Sequence, residues 1–205
     1  SGRGQRGTHW ESDNGKNLTF GLLAHPNFLR ADEQFYLSEI TALAVVDALR
    51  PYCETTVKWP NDVYYGDKKI CGMLLEHDLQ GSMIAHTIVG PGINVNQQSF
   101  LSDAPNPVSV AQIVGFEVNR YLVLERWLQS FLHYYSRLEK GEREAINEEY
   151  KACLYRRDGV YTYRDKNGEF QAEIADIEEN GHLLLRDAAG HLRRYAFKEV
   201  QFVLQ

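Results

Sequence analysis

Residues 57–76, Val-Lys-Trp-Pro-Asn-Asp-Val-Tyr-Tyr-Gly-Asp-Lys-Lys-Ile-Cys-Gly-Met-Leu-Leu-Glu, constrain the fold more than any other stretch of the chain. Pro60 has no N–H to give a ladder and biases Trp59 toward extended geometry. Lys58-Trp59-Pro60-Asn61-Asp62 therefore reads as a strand end breaking into a corner from which Lys58 and Asp62 project. Residues 63–65 and 70–75 are β-branched, aromatic and aliphatic, and Gly66-Asp67-Lys68-Lys69 between them predicts a hairpin with a basic exit. Lys69 falls just before the second strand and Gly72 inside it, and a glycine within a strand marks a bulge or the close approach of a ligand or another backbone. Two lysines, one carboxylate and a bare patch of strand are thus expected to face one cavity.

The remaining periodicities predict an α+β chain. Residues 18–25 form a strand ended by Pro26, and residues 32–50 carry a wide apolar stripe through Leu37, Ile40, Ala44 and Leu49 that closes at Pro51. A strand over 83–89 runs into Gly90-Pro91-Gly92-Ile93-Asn94, where the glycines admit a flat ligand and Asn94 offers donor and acceptor to a base edge; a plain turn fits the same letters. Residues 97–107 read as a loop, taken as a lid with Phe100 as its aromatic contact. Residues 119–139 and 142–153 form two helices without evident chemistry. From residue 156 onward the turn signals at Asn167-Gly168, Asn180-Gly181 and Ala189-Gly190 separate five short runs, at 160–163, 170–177, 183–185, 193–197 and 200–204. This pattern predicts a small antiparallel barrel.

Composition bounds the partners. In 205 residues, a net charge of −6 argues against a general nucleic-acid binder, so any anionic ligand must be held by local cations. Cys53, Cys71 and Cys153 are odd in number and in no metal-ligand spacing, which points to buried thiols in a reducing, cytoplasmic setting. No apolar run is long enough for a membrane helix. Residues 1–17 are glycine-rich and aperiodic and read as a long loop. Gly2-Arg3-Gly4-Gln5-Arg6-Gly7 spells a dinucleotide fingerprint but lacks the strand before it and the helix after it. Two readings remain for it: a loop whose amides, Arg3 and Arg6 wrap an anion, or a solvated start.

Three of these motifs in order, residues 2–10, Lys58 to Asp62 with Lys69 to Glu76, and Gly90 to Asn96, resemble the biotin protein ligase family. The resemblance implies a catalytic domain of the class II synthetase-like biotin/lipoate ligase type over residues 1–155 and an SH3-like domain over 156–205. It implies biotin and ATP as substrates with magnesium (Mg2+), and a biotin carboxyl carrier protein as acceptor. Neither nucleic acid nor membrane is implied, and a homodimer is left open. Carried over residue by residue, Gly2 and Arg3 contact biotin or its carboxylate, Lys69 sits where carboxylate meets phosphate, and Gly72 and Gly90 lie against the biotin ring. Arg6, Trp10, Lys58, Asn94 and Phe100 go to the nucleotide, while Lys58, Asp62, Lys69 and Arg3 carry the chemistry. Asp62 is the group to orient or deprotonate the acceptor amine, which at an ordinary lysine pKa is free base only about once in a few thousand at pH 7. A structural partner for Lys58 is its alternative role.

Two departures stand out. Gln5 replaces an arginine that many members use to retain the adenylate. The family's upstream strand and helix, with a Ser/Thr-Asn motif and a glutamine before the glycine loop, are absent from a sequence that starts at Ser1, so the expectation is a fragment of a longer enzyme. These residues carry no winged-helix region to support a repressor role. The alternatives are a lipoate ligase or octanoyl transferase relative, and a non-catalytic module that docks carrier domains.

Overall fold

The computed structural model describes residues 2–3, 9–101 and 106–204. Its centre is an antiparallel sheet of β3 (Leu18–Thr19), β4 (Leu22–Ala24), β5 (Thr56–Lys58), β6 (Asp62–Tyr65), β7 (Lys68–Gln80) and β8 (Met83–Ile93). The order is β3-β8-β7-β6-β5, with β4 also pairing β8. Before it, β1 (Gly2–Arg3) pairs β2 (His9–Trp10), so the glycine-rich start, read as loop throughout, contains a two-stranded ladder. Gly66, in the left-handed region at φ 54°, permits a tight turn, and β7 begins at Lys68. Lys69 therefore lies inside the strand rather than before it. Strand β8 continues through Gly90, Pro91 and Gly92 instead of turning there.

One face of this sheet is the core. Val57, Val63, Cys71, Met73, Val89 and Ile93 alternate onto it, all buried. Helix α1 (Phe35–Leu49) packs against them and is buried nearly all round, only Ser38 and Asp47 reaching partial exposure. After α2 (Val110–Val114), α3 (Arg120–Glu139) buries Val123, Trp127, Phe131, Tyr134 and Leu138, a spacing of three and four that makes one helical stripe. Asn119 caps α3 by accepting from the Tyr121 N–H. Helix α4 (Arg143–Ala152) completes the layer. No helix among the described residues is long and apolar enough to cross a membrane.

The five predicted C-terminal strands form as β9 (Tyr161–Asp165), β10 (Gly168–Ile177), β11 (Leu183–Asp187), β12 (Leu192–Tyr195) and β13 (Gln201–Phe202). The order is β12-β11-β10-β9-β13. The predicted barrel is not closed: β12 and β13 lie at opposite edges with no ladder between them among the described residues. With β13 reduced to two residues on β9, nothing is left to span the gap. This sheet meets the larger one along β5. The Val57 N–H donates to Cys153 O and the Tyr155 N–H to Val57 O, at 2.7 and 2.8 Å. The Trp59 indole N–H donates to Gly181 O at 2.9 Å. Gly181 has φ 83°, and a Cβ there would lie 2.5 Å from the Phe35 ring.

A carboxyl group sits inside this layer of helices. Glu39 on α1 is fully buried, accepts from Asn147 Nδ2 of α4 at 2.6 Å, and leaves Oε2 without a partner. Burial raises its pKa to about 8, against the Asn147 hydrogen bond, which lowers it. Between the ordinary value of 4.5 and about 8 the folded chain keeps a proton that the unfolded chain releases. This contribution is full below 4.5 and is lost as pH rises toward 8. Glu39→Gln keeps the acceptor for Asn147 and cannot ionise, so its melting temperature relative to wild type should climb from pH 5 to pH 8. A pH-independent difference would show that folding does not raise the Glu39 pKa.

Candidate active site on the open face of the large sheet

The sheet register assembles the site. Cross-strand pairs run Lys58↔Asp62, Asp62↔Gly72, Gly72↔Gly92 and Gly92↔Thr19, so five strands contribute to one straight row. Directly opposed residues project to the same side of a sheet. The row therefore lies on the face away from α1. One charged end, carrying Lys58 and Asp62, and a floor of bare glycine follow from the pairing alone.

Lys69 joins this row through an irregularity. Val63 pairs Cys71 while Tyr64 pairs Lys69, which leaves Ile70 as an extra residue. Without this bulge Tyr64 would face Ile70, and Lys69 would point into the core. The bulge re-aims it onto the Asp62 side. The backbone of Lys69 is then clasped, its N–H donating to Asn106 O and its carbonyl accepting from Val108 N, both at 2.9 Å. Its ammonium lies 2.7 Å from Asp62 Oδ1, with both side chains partly exposed. Asp62 thus partners Lys69 rather than its cross-strand neighbour Lys58.

Trp10 covers the glycine floor. A Cβ at Gly92 would sit 2.7 Å from Trp10 Cε2 and Nε1, and one at Gly72 would sit 2.9 Å from Trp10 Cζ3. Only hydrogen at these positions lets the indole lie flat on the strands. The Lys69 ammonium is 5.6 Å from the Trp10 ring centre. Gly90 is on the same face two residues back, its missing side chain leaving room beside Leu74 O. Asn94, at the end of β8, is buried with its main chain fixed: its N–H donates to Ile70 O and its carbonyl accepts from Val110 N. Two buried polar atoms, Trp10 Nε1 and Asn94 Oδ1, have no hydrogen-bond partner. Glu39, Thr55, Trp127, Tyr150 and Tyr163 also carry an unpaired buried polar atom, so Trp10 and Asn94 are set apart by their place, over Gly92 and two residues beyond it, where an unused donor and acceptor suit a polar ligand.

Lys58 sits apart from this centre. Its ammonium lies 5.4 Å from the ring centre of Tyr64 and 4.9 Å from that of Phe202. Burial lowers its pKa from the ordinary lysine value, with Asp62 opposing and Lys69 and Arg156 reinforcing the effect. Of the predicted loop residues, Gly2 and Arg3 are described as strand backbone only, and Arg6 and Gln5 lie outside the described residues, as do positions 102–105 of the predicted lid. Phe100 is half-buried, next to Leu101, whose N–H donates to both carboxylate oxygens of Glu11. Gln97, fully buried, donates to Glu11 Oε1 at 3.1 Å and accepts from Asn17 Nδ2 at 2.6 Å and from the Asp13 N–H at 3.1 Å. Residues 11–17 and 97–101 are therefore tied together beside the site. The sequence reading counted Gly92 among the glycines that admit a flat ligand but assigned a contact only to Gly90, although a spacing of two placed both on the same strand face. It gave no local signal for Phe202.

Comparison with known proteins places this geometry. A model of the biotin/lipoate A/B protein ligase family matches residues 1–94. The chain is 30% identical over 200 residues to the biotin--[acetyl-CoA-carboxylase] ligase of Paracoccus denitrificans, covering 93% of this chain and 82% of that protein. It is 29% identical over 211 residues to the bifunctional ligase/repressor BirA of Bacillus spizizenii, covering 96% of this chain and 62% of that relative's length. The biotin protein ligase from Aquifex aeolicus in complex with biotin and ATP shares the fold, with a TM-score of 0.80 at 23% identity over 98% of this chain and 84% of that one.

Gly92→Ala should eject the Trp10 ring from the floor, because the new methyl overlaps the indole and the strand backbone cannot withdraw. The expected reading is a red shift and stronger quenching of tryptophan emission, absent when Trp10→Phe is already present. Gly21→Ala, where a Cβ meets Ile88 at an ordinary 3.6 Å, is the matched control. Equal spectra for Gly92→Ala and wild type would show that the indole does not rest there.

Proposed function

The chain belongs to the biotin protein ligase family, and on that premise we propose that it activates biotin with MgATP to biotinyl-5'-adenylate and passes the biotinyl group to a lysine of a biotin carboxyl carrier domain. The observation that carries this reading is the Lys69–Asp62 pair beside the Gly72–Gly92 floor, with the unused donor of Trp10 lying over Gly92. A carboxylate approaching a triphosphate is repelled unless a cation lies between them. Lys69, backbone-clasped and re-aimed by its bulge, supplies that cation by exchanging its Asp62 contact for the substrate oxygens. A biotin carboxylate oxygen attacks the α-phosphorus and pyrophosphate leaves. Positioning and charge carry most of such a transfer, and no enzyme nucleophile is required.

In the second step the acceptor amine attacks the activated carbonyl, AMP departs with the electron pair, and the amine loses its proton. Asp62 is the carboxylate nearest that junction and is our choice to orient the amine. Asn94 Oδ1 suits the amino edge of an adenine as its missing donor. Magnesium enters as the ATP complex. Such ions are held mostly by phosphates and water with one or two carboxylates, and Asp62, ion-paired to Lys69, is the carboxylate here that would supply such an oxygen when the ATP complex is bound. Among the described residues no three His, Cys, Asp or Glu side chains cluster as a cation cage of their own. We divide the chain at residues 155 and 156, the first part forming the ligand floor and the second packing on β5.

The test is mass-spectrometric detection of biotinyl-5'-adenylate after mixing the chain with biotin and MgATP, followed by Lys69→Met. Wild type should form the adenylate, and Lys69→Met should lower pyrophosphate release by about a hundredfold or more, the scale for losing one preorganised charge contact. Adenylate from lipoate or octanoate in place of biotin would move the assignment to the lipoate branch. Binding of a carrier domain with no adenylate would make the chain a docking module.

A further inference from the structure

Lys58 presents an electrostatic oddity. Its cross-strand neighbour is Asp62, the pairing in which an ion pair is expected, yet Asp62 is engaged by Lys69 at 2.7 Å. Among the described residues Lys58 has no carboxylate within ion-pair distance. Its partners are aromatic faces, Phe202 at 4.9 Å and Tyr64 at 5.4 Å. The two rings come from different sheets, Tyr64 from β6 and Phe202 from β13. Phe202 is itself held by Tyr163 at a centroid distance of 5.0 Å, edge to face, and by Tyr155 at 6.3 Å. Tyr155 also lies 5.3 Å from Tyr64 and donates through its hydroxyl to Asp67 at the hairpin turn.

The chemistry of such a holder differs from that of a carboxylate. A carboxylate beside a lysine cancels its charge and competes with any incoming anion. An aromatic face attracts the ammonium through its quadrupole and leaves the full positive charge in place. A cation held this way is fixed in position but remains available. The grip on this strand is also continuous. Val57 is hydrogen-bonded to Cys153 and Tyr155, Lys58 lies on Phe202, and Trp59 donates to Gly181. Three consecutive residues are each held by residues 153–155 or by the C-terminal sheet.

We propose that the C-terminal sheet completes the phosphate end of the active site, with Phe202 as a positioning residue that holds the Lys58 ammonium, together with Tyr64, for the anionic tail of ATP. This rests on the adenylate-forming reading given above. The C-terminal sheet then contributes to the first half-reaction, before any carrier protein is engaged. Phe202 need not touch the nucleotide, because its effect passes through Lys58.

The experiment measures MgATP and biotin affinities by direct titration, without carrier protein, for wild type, Phe202→Leu, Phe202→Tyr, Lys58→Met and the Lys58→Met/Phe202→Leu double variant. Phe202→Leu should weaken MgATP about tenfold, the scale of a desolvated cation–π contact, and leave biotin affinity unchanged. Phe202→Tyr, which restores a ring face, should stay close to wild type. In the Lys58→Met background the second change should add no further loss, since the path through Lys58 is already cut. Phe202→Met fills the volume without a ring should the leucine variant fail to fold. An unchanged MgATP affinity in Phe202→Leu, or an equal loss with and without Lys58, overturns the proposal. A second readout does not depend on nucleotide binding. The Lys58 ε-methylene proton signal should be shifted upfield by the rings, and should move back in Phe202→Leu but not in Phe202→Tyr. If wild type binds no MgATP, the adenylate-forming reading fails, and this signal alone then decides whether Phe202 holds Lys58; an unshifted signal overturns it.

Discussion

The register of β7 on its two neighbours is the constraint on which the site depends. Asp62, Gly72 and Gly92 face one another only because β6, β7 and β8 pair as they do. A slip of β7 by one residue would turn Gly72 toward the core and bring Cys71 and Met73 out beside Asp62 and Gly92. The opposite face prevents the slip. Val63, Cys71, Met73, Val89 and Ile93 are buried under α1, so the apolar face fixes the register and the polar face takes its geometry from it. The Ile70 bulge is the single exception that the site requires, placing Lys69 on the same side as Asp62.

Charge is arranged against the balance of the chain. The sequence carries a net charge of −6, yet Lys58 lies in the field of two further cations, Lys69 and Arg156, opposed by one carboxylate, Asp62. The two lysines are held in different ways. Lys69 has a carboxylate partner, which suits a group that must accept and release substrate charge. Lys58 has aromatic partners, which keep it cationic in a desolvated place. Both arrangements depend on backbone fixed elsewhere: the 106–108 segment for Lys69 and the 153–155 segment for Lys58.

The glycine floor and the loops above it share one logic. Gly72 and Gly92 leave space for a flat ring, and Trp10 takes that space from a segment joined by Asn17, Gln97 and Glu11 to residues 97–101. Gln97 is fully buried and its side chain bonds to Glu11, Asp13, Asn17 and Ser99, so the two segments beside the floor share one hydrogen-bond network. Trp10 Nε1 and Asn94 Oδ1 stand outside that network as unused polar atoms.

Much of this was legible in the sequence because it is local. The Lys58-to-Asp62 corner, the Gly66 turn and the glycine-separated C-terminal runs depend on a proline, on left-handed glycines and on strand alternation, each of which acts over a few residues. The C-terminal strands fall on the predicted runs because turn chemistry separates them, whereas β7 and β8 run on past the ends predicted for them. What tertiary structure alone decided is pairing between distant segments. The bulge at Ile70 leaves no letter in the sequence, since it expresses the fit of β7 to β6. The choice of Lys69 over Lys58 as the partner of Asp62 follows from that bulge. Closure of the C-terminal sheet depended on edge-strand length and not on strand count, so the expected barrel is an open sheet. Phe202 is far from Lys58 along the chain and has no pattern linking it to a catalytic motif. Its place over the ammonium comes from packing between two sheets, and packing is a property of the folded surface rather than of any stretch of sequence.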